Sequence, residues 1–523
     1  MKRFNITGTC RPNEHYMVDI TERVEIIRKM IAQGDYFCIN RGRQYGKTTT
    51  LEGVATRLCD YYCVFSISFE SLSDSCFKDE DTLYATFVEL IASCFAWKEL
   101  KSLDKATEEY IKSFESEHSE KCSFKDLIRF VGEVCHRNSK PVVLMIDEVD
   151  QAGNYPTFLK LLGVLRSMFL KRNVAPTFQS VILAGVYDVK NLKLKMRGEQ
   201  DHQYNSPWNI AAPFNVDMSL QEDGIKGMLD EYECDHHTGM DTALVAKWLR
   251  EYTSGYPFLV SRLCMLMDEQ GDWSHGGFIN AHKVLISERN TLFDDMSKNL
   301  MQFPELKALL QAILFNGQLI KFNPFEKFMQ LSEMFAFVVV ENGNVKLQNR
   351  ILETVLYELF MAEERNSSIY LEGSIDKSGF VKGDELDMPV LLSKFAEHFN
   401  EIFRTQDGTM DYKFVENQGR KQFLLYLRPI LNGDGHYYVE AQTRDETRTD
   451  LIINYHGHEY VVEMKIWRGE SYNTRGEEQL AQYLDYFNRP VGYMVSFCFN
   501  KNKQPGLRPP VQIGPHTLIE TVV

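Results

Sequence analysis

Three consecutive residues near the amino terminus, Gly46, Lys47 and Thr48, have the types and order that bind phosphate groups. They follow a short apolar run at 36–40 and open a run with helical periodicity at 47–60. Backbone amides at the start of a helix attract anions, and a glycine lets the chain approach a phosphate closely. A lysine at this spacing can reach the β- and γ-phosphates of a nucleotide, and the threonine hydroxyl can ligate magnesium. The segment therefore predicts a phosphate-binding loop for ATP with Mg²⁺.

Arg41 stands where the usual phosphate-loop pattern has its first glycine. The backbone amides that follow can still form the anion-binding turn at the helix start. We assign nucleotide contact to the following residues: Arg43, Gln44, Tyr45, Gly46, Lys47, Thr48 and Thr49. The competing interpretation of this segment alone is a solvated basic loop before a helix.

A second motif is a continuous apolar run, 142–146, that ends in Asp147 and Glu148. In phosphate-loop enzymes an acid at the end of this strand holds magnesium, and a glutamate can act as general base toward the attacking water. An ordinary strand before an acidic helix start is the competing interpretation. Because the two motifs occur in order and both follow strand-like runs, they favour ATP binding and hydrolysis, with Thr48 and Asp147 as metal ligands and Glu148 as catalytic base.

A third set of polar residues, Asp450, Glu463 and Lys465, lies in two apolar runs that flank a short polar turn. If the turn is at 456–457, Asp450 lies opposite Glu463; if it is at 457–458, Asp450 lies opposite Lys465. Either register places all three on one sheet face, because side chains alternate along a strand. Two opposed acids about 5 Å apart repel each other unless a cation lies between them. A hard divalent ion such as Mg²⁺ suits such oxygen ligands.

This third set predicts a metal-dependent phosphodiesterase site. Asp450 and Glu463 would hold the metal, and Lys465 would orient a water or stabilise developing charge. An amphipathic run at 475–487 follows and can direct Gln479 to the same face. An exposed hairpin with a charged outer face is the competing interpretation.

Alternating strands and helices must position the first two motifs. The apolar runs show no polar alternation, which is typical of parallel strands buried on both faces. These runs are residues 36–40, 62–69, 141–146 and 180–186. Because helical patterns lie between them, residues 1–220 are predicted to form an α/β domain with a doubly wound parallel sheet.

Two further regions follow. Residues 221–380 are mostly helical in pattern, with one hairpin that turns at Asn342-Gly343, and predict a winged-helix-like module. Residues 381–523 predict a third domain of αβββαβ type. Its expected helices are 389–403 and 475–487, and its expected strands are 422–428, 437–443, 450–455, 459–466 and 491–499.

The bulk composition sets limits. A chain of 523 residues predicts about three domains, and its net charge of −15 excludes a protein that coats nucleic acid through a global basic surface. The eleven cysteines are scattered without metal-site spacing, which favours reduced thiols in a cytosolic protein. No signal-peptide core or membrane-spanning run is present, so we expect a cytoplasmic location and no membrane partner.

Residues 15–19, 39–50, 206–210 and 253–264 resemble the bacterial AAA-ATPase-like family, in which an arginine-rich loop commonly replaces the first glycine. Residues 438–493 resemble the PD-(D/E)XK nuclease domain, which has a restriction-endonuclease-like fold. Asp450, Glu463 and Lys465 match its acid, acid and lysine, and Gln479 matches its helix glutamine.

The resemblance implies a nuclease that is gated by an ATPase and that binds nucleotide and DNA or RNA. The oligomeric state is left open, and a homo-oligomer is one possibility. Glu401 and Glu440 are both candidates for a further nuclease acid. The first alternative is a STAND-like nucleotide-dependent signalling switch, whose carboxyl-terminal tail binds nucleic acid or protein without cleaving it. The second is a nucleotide-binding scaffold without turnover.

Overall fold

The computed structural model describes residues 2–96, 100–186, 208–316, 320–341, 343–367, 379–403, 416–431, 435–442, 448–466, 480–485, 487, 489–498 and 505–523. The chain forms two compact units. The first comprises Met1–Arg250, Ser254–Met265 and Ser332–Ala336. The second comprises Glu251–Thr253, Leu266–Leu331 and Phe337–Val523.

Among the described residues, the first unit contains a parallel sheet of four strands: β1 (Phe37–Asn40), β2 (Cys63–Ser68), β3 (Val142–Asp147) and β4 (Ser180–Gly185). Their order is β1-β4-β3-β2. β3 and β4 are buried along their whole length, as expected for strands covered on both faces. The predicted α/β fold with a parallel sheet is therefore confirmed, and β4 lies between the strand that precedes the phosphate loop and the strand that precedes the acids.

Helices connect and follow these strands. They are Thr21–Ala32, Lys47–Leu58, Glu80–Ser93, Lys105–Glu117, Phe124–Arg137, Pro156–Leu170, Glu222–His236, Thr242–Thr253 and Pro257–Gln270, with short 3-10 turns at Asp74–Phe77 and Val149–Ala152. Local sequence fixes several starts: Asp79 and Ser123 accept hydrogen bonds from amides of the first helical turn, and Pro156 occupies the first position of its helix.

The second unit begins with further helices and a small sheet. The helices are His275–Ser287, Thr291–Gln302, Pro304–Asn316, Lys327–Met334 (which ends in the first unit) and Arg350–Ser367. Strands β6 (Val338–Glu341) and β7 (Asn344–Leu347) pair with Glu341 opposite Asn344, so the predicted pairing of the two strands is confirmed. A short strand, β5 (Ile320–Lys321), pairs with β7 and was not expected from the sequence.

Where the structure describes it, the carboxyl-terminal part of the second unit contains helices and a mixed sheet. The helices are Met388–Phe403 and Glu416–Leu431, and residues 480–485 are also helical. After a small hairpin of β8 (Val381–Lys382) and β9 (Glu385–Leu386), the strands are β10 (Gly435–Gln442), β11 (Arg448–Tyr455), β12 (His458–Ile466), β13 (Val491–Phe497), β14 (Gly506–Leu507), β15 (Val511–Ile513) and β16 (His516–Val522). The order is β10-β11-β12-β13-β16-β14, with β15 also paired to β16. β10 to β12 are antiparallel, whereas β12, β13 and β16 are parallel.

One predicted strand is wrong. Residues 422–428 lie in the helix Glu416–Leu431. Buried Phe423, Leu424, Leu427 and Ile430 recur at spacings of one, three and three, which is the helical period. The apolar run is short and rich in leucine, so its length alone resembled a buried strand.

Among the helices that the structure describes, none combines the length and apolar composition that a membrane crossing requires.

Candidate functional site

The loop between β1 and the helix Lys47–Leu58 makes a tight turn. Gly46 immediately precedes the helix with φ of 78°, and Gln44 has φ of 55°. Both values lie in the left-handed region, where a glycine is unstrained and a residue with a side chain is not. The turn leaves the first amides of the helix facing the loop that precedes it, as a phosphate-binding turn requires.

Lys47 is buried within this loop. Its Nζ donates hydrogen bonds to the carbonyl oxygens of Arg41 (3.0 Å) and Gly42 (3.1 Å). Burial lowers the pKa of the Lys47 ammonium, and nearby carboxylates, of which Glu148 has the largest effect, act in the opposite direction. The phosphate loop and the acid motif therefore share one electrostatic environment.

Thr48 and Asp147 bring the two motifs into direct contact. Thr48 Oγ1 donates to Asp147 Oδ2 over 2.6 Å, although the residues are 99 positions apart. The other carboxylate oxygen of Asp147 accepts from the Glu148 amide at 2.9 Å. Two adjacent oxygen donors, one of them a carboxylate, form the kind of donor set that Mg²⁺ prefers, so these residues fit the implied metal.

Glu148 adopts an unusual backbone conformation at the end of β3, with φ of 52°. A positive φ at a residue with a side chain is strained and persists where the surroundings over-determine it. Burial raises the pKa of the Glu148 carboxyl, and the positive charge of Lys47 partly opposes this rise. A half-buried carboxylate with a raised pKa has the properties of a general base.

Arg41 is held by its own chain. Its guanidinium donates to the carbonyl oxygens of Asn40 (2.8 Å) and Val216 (2.9 Å) and lies over the Phe214 ring. The residue that replaces the first glycine therefore fastens the start of the loop to the segment around Val216.

Of the other predicted contact residues, Arg43 offers its carbonyl oxygen to the Tyr256 hydroxyl at 2.5 Å, and the Tyr45 ring packs edge-on against Tyr256 at 4.7 Å. Thr49 Oγ1 accepts from the Cys10 amide at 3.1 Å. No local sequence pattern marks Tyr256 or Cys10 as a neighbour of this loop, because the fold alone brings both residues to it.

A segment from far along the chain also packs on the loop. A Cβ added to Gly42 would lie 3.0 Å from the Ala336 Cβ and 3.4 Å from the Phe335 carbonyl oxygen. Ala336 has φ of 57° and is buried. No local sequence signal connects residues 42 and 336, so only the structure reveals this contact.

Asp150 was likewise missed. Its carboxylate accepts a hydrogen bond from the Val186 amide, just beyond β4. Residues 187–207, which follow Val186, lie outside the described residues.

In the carboxyl-terminal sheet, Tyr455 pairs with His458 and Leu451 with Val462, so the turn is at 456–457. Of the two registers left open, this is the first, and continuing it by one residue sets Asp450 opposite Glu463. Glu463 is almost fully buried, and its carboxylate lies 3.3 Å from Lys465 Nζ. Among the side chains that the structure describes, no cluster of three or more potential metal ligands is found.

The structure does not describe the side chains of the remaining predicted residues of this set. The backbone of Asp450 belongs to β11, but its side chain is not among those described. The same holds for Glu401 in the helix Met388–Phe403 and Glu440 in β10. Gln479 lies outside the described residues.

Comparison with known proteins gives one family match: the AAA-like domain matches residues 9–363. A Walker-type ATPase of Pyrococcus abyssi aligns at 12% identity over 68% of this chain and 99% of its own, with a TM-score of 0.47. The ORC2 protein of Aeropyrum pernix, solved as ADPNP-ADP complexes, aligns at 9% identity over 69% and 97%, with a TM-score of 0.37. The ORC1 protein of the same organism, solved with DNA, aligns at 10% identity over 66% and 94%, with a TM-score of 0.28. No curated protein matches the chain.

Proposed function

The chain belongs to the AAA-like domain family, and from this premise we propose that its first unit binds ATP with Mg²⁺ and hydrolyses it. The observation that carries the proposal is the 2.6 Å hydrogen bond from Thr48 to Asp147. It joins the helix start of the phosphate loop to the end of β3. A solvated basic loop would not be expected to hydrogen-bond to a buried aspartate such as Asp147.

Each residue then has a defined role. Lys47 exchanges its bonds to loop carbonyls for the β- and γ-phosphates, while the backbone amides from Arg43 to Thr49 surround the phosphate chain. Thr48 and Asp147 would hold Mg²⁺, which neutralises phosphate charge when bound. Glu148 accepts a proton from the attacking water.

Hydrolysis is tested by phosphate release from the full chain. Replacing Glu148 with Gln is expected to retain ATP binding and to lower turnover by about 10²-fold or more, since the general base is lost while the shape is kept. Glu89→Gln, a change at an exposed glutamate of the helix Glu80–Ser93, is the matched control and should turn over like wild type. Equal phosphate release by wild type and Glu148→Gln would favour the scaffold without turnover.

We propose further that the chain is organised as residues 1–220, 221–380 and 381–523, and that the last of these is a restriction-endonuclease-like, metal-dependent nuclease domain of PD-(D/E)XK type. What supports this is the pairing of buried Glu463 with partly buried Lys465, beside the register position of Asp450. Burying a carboxylate is costly unless it is paired, and such residues are concentrated at functional sites. Asp450 and Glu463 would hold the metal, Lys465 would stabilise charge, and Gln479 would assist from the helix that follows.

Cleavage is tested by incubating the full chain with Mg²⁺ or Mn²⁺ and mixed DNA and RNA. Cleavage that is lost in Lys465→Ala but retained in Lys394→Ala, a change at an exposed lysine, would support the nuclease. Binding without cleavage, unchanged by Lys465→Ala, would support the STAND-like signalling switch instead.

We also propose that residues 221–380 form a winged-helix-like module that relays the nucleotide state of the first unit. The proposed location of the protein is the cytoplasm. Size-exclusion chromatography with and without ATP decides whether a homo-oligomer forms.

A further inference from the structure

The turn after the acid motif is packed closely against the end of β4. The Val186 amide donates a hydrogen bond to Asp150 Oδ2. A Cβ added to Gly185 would lie 2.9 Å from Asp150 Oδ1 and 2.9 Å from Val149 Cγ2. Only a glycine permits this approach, because real Cβ atoms do not come so near to a carboxylate oxygen or a methyl group.

Gly185, the last residue of β4, also contacts the start of the phosphate loop. Gly185 pairs with Asn40 across the parallel ladder, and the Arg41 amide donates to the Gly185 carbonyl oxygen at 3.2 Å. The peptide group between Gly185 and Val186 therefore makes two hydrogen bonds, one from its amide to Asp150 and one from the Arg41 amide to its carbonyl oxygen. Together they form a path from Asp150 to Arg41. The end of β4 is fixed between the acid motif and the phosphate loop.

A single carboxylate secures one end of this path. Val186 follows the last residue of β4, and the acceptor for its amide is the Asp150 side chain. Without that acceptor, the amide must find water or move. Movement of β4 would change the separation between the loop that carries Lys47 and the strand that carries Asp147 and Glu148.

We propose that Asp150 is a positioning residue for the hydrolytic reaction, which holds the end of β4 so that the phosphate loop and the acid motif keep their catalytic spacing. The inference rests on the proposed ATPase function. A misplacement of about 1 Å in catalytic groups can cost about 10²-fold in rate, so the loss of this hydrogen bond has a measurable effect.

The test compares Asp150→Ala with Asp150→Asn in the full chain. Asparagine keeps an oxygen acceptor of the same shape, whereas alanine removes it. Asp150→Ala is expected to lower kcat by about 10²-fold with KM for ATP changed much less, because the loss falls on the transition state, and Asp150→Asn is expected to restore most of kcat. Asp60→Ala, at an exposed aspartate, is the matched control and should match wild type.

Amide hydrogen exchange of the peptide that contains Val186 provides a second measurement independent of catalysis. Protection of this amide should be lost in Asp150→Ala and kept in Asp150→Asn. Equal kcat in all variants, or equal protection of the amide in wild type and Asp150→Ala, would overturn the proposal.

Two further outcomes are distinguishable. If wild type releases no phosphate, the proposed ATPase function fails, while the exchange measurement still decides whether Asp150 holds the end of β4. If Asp150→Ala does not fold, Gly185→Ala replaces it, since its Cβ would lie 2.9 Å from Asp150 Oδ1 and displace the carboxylate. A Gly185→Ala chain that folds and turns over like wild type would overturn the proposal.

Discussion

Thr48 is the residue that best tests the proposed Mg²⁺ site, since its hydroxyl lies 2.6 Å from the carboxylate of Asp147, the other proposed ligand. Thr48→Ser keeps the hydroxyl and should bind ATP with Mg²⁺ as wild type does. Thr48→Val keeps the shape but removes the ligand, and should weaken Mg²⁺-dependent ATP binding by about tenfold or more, equivalent to about 1.4 kcal/mol. Calorimetry with Mg²⁺ and with EDTA measures this. Equal affinity of the two variants in Mg²⁺ would exclude Thr48 as a ligand.

Buried thiols are expected to make the first unit less stable at alkaline pH. Burial raises the pKa of both Cys63 and Cys122 to about 12. Unfolded cysteines ionise near pH 8.5, so above that pH the unfolded chain releases protons that the folded chain retains. The free energy of unfolding should therefore fall as pH rises through 9 and 10, by at most about 1.4 kcal/mol per pH unit for each thiol. Denaturant melts at pH 8, 9 and 10 test this, and a Cys63→Ala/Cys122→Ala chain with an equally steep fall would contradict it.

At the residue scale, the sequence predicted candidate site residues from local patterns. Lys47, Thr48, Asp147 and Glu148 each lie at the end of a strand or after one, and the structure brings these four residues together. Tyr256 and Asp150 could not be found in the same way, because a tyrosine or an aspartate becomes informative only when the fold places it beside the loop or β4.

At the element scale, the parallel strands were predictable because unbroken apolar runs have few other uses in a soluble chain. The helix Glu416–Leu431 was not, since a short run of leucines and aromatics satisfies both a strand and a buried helix face. Its contact with β13 resolves the ambiguity: Gly419 lies so close to Phe497 that an added Cβ would stand 2.3 Å from the ring.

This contact predicts an inverted effect of a helix-favouring substitution. Gly419→Ala should destabilise the chain, because overpacking costs about 1–3 kcal/mol and exceeds the gain of about 1 kcal/mol in helix propensity. Gly163→Ala is the matched control: it lies within the helix Pro156–Leu170 with no atom near the new Cβ, and should stabilise by about 0.4–1 kcal/mol. Chemical denaturation compares the two, and a stabilising Gly419→Ala would refute the packing argument.

At the scale of the whole molecule, the nucleotide site is assembled from distant parts of the chain. The first unit includes Ser254–Met265 and Ser332–Ala336, which supply the Tyr256 hydroxyl to Arg43 and the Ala336 contact to Gly42. If the phosphate loop changes conformation when nucleotide binds, the segment Ser332–Ala336 must adjust with it. This segment lies just before the β6–β7 hairpin in the sequence. Sequence periodicity could not reveal this, because long-range packing has no local signature.

A fragment of residues 1–220 lacks both of these contacts. We expect it to bind ATP at least about tenfold more weakly than the full chain, since its phosphate loop loses the Tyr256 hydrogen bond and its covering segment. Tyr256→Phe in the full chain isolates the hydrogen bond and should show a smaller loss in the same direction. A fragment that binds as tightly as the full chain would show that these contacts do not support the site.

ATP binding by the first unit is tested by calorimetric titration of the purified full chain with ATP in the presence of Mg²⁺. We expect heat of binding that disappears in Lys47→Ala and persists in Lys29→Ala, a change at an exposed lysine of the helix Thr21–Ala32. Absence of heat with wild type, with or without Mg²⁺, or binding that is unchanged in Lys47→Ala, would contradict it.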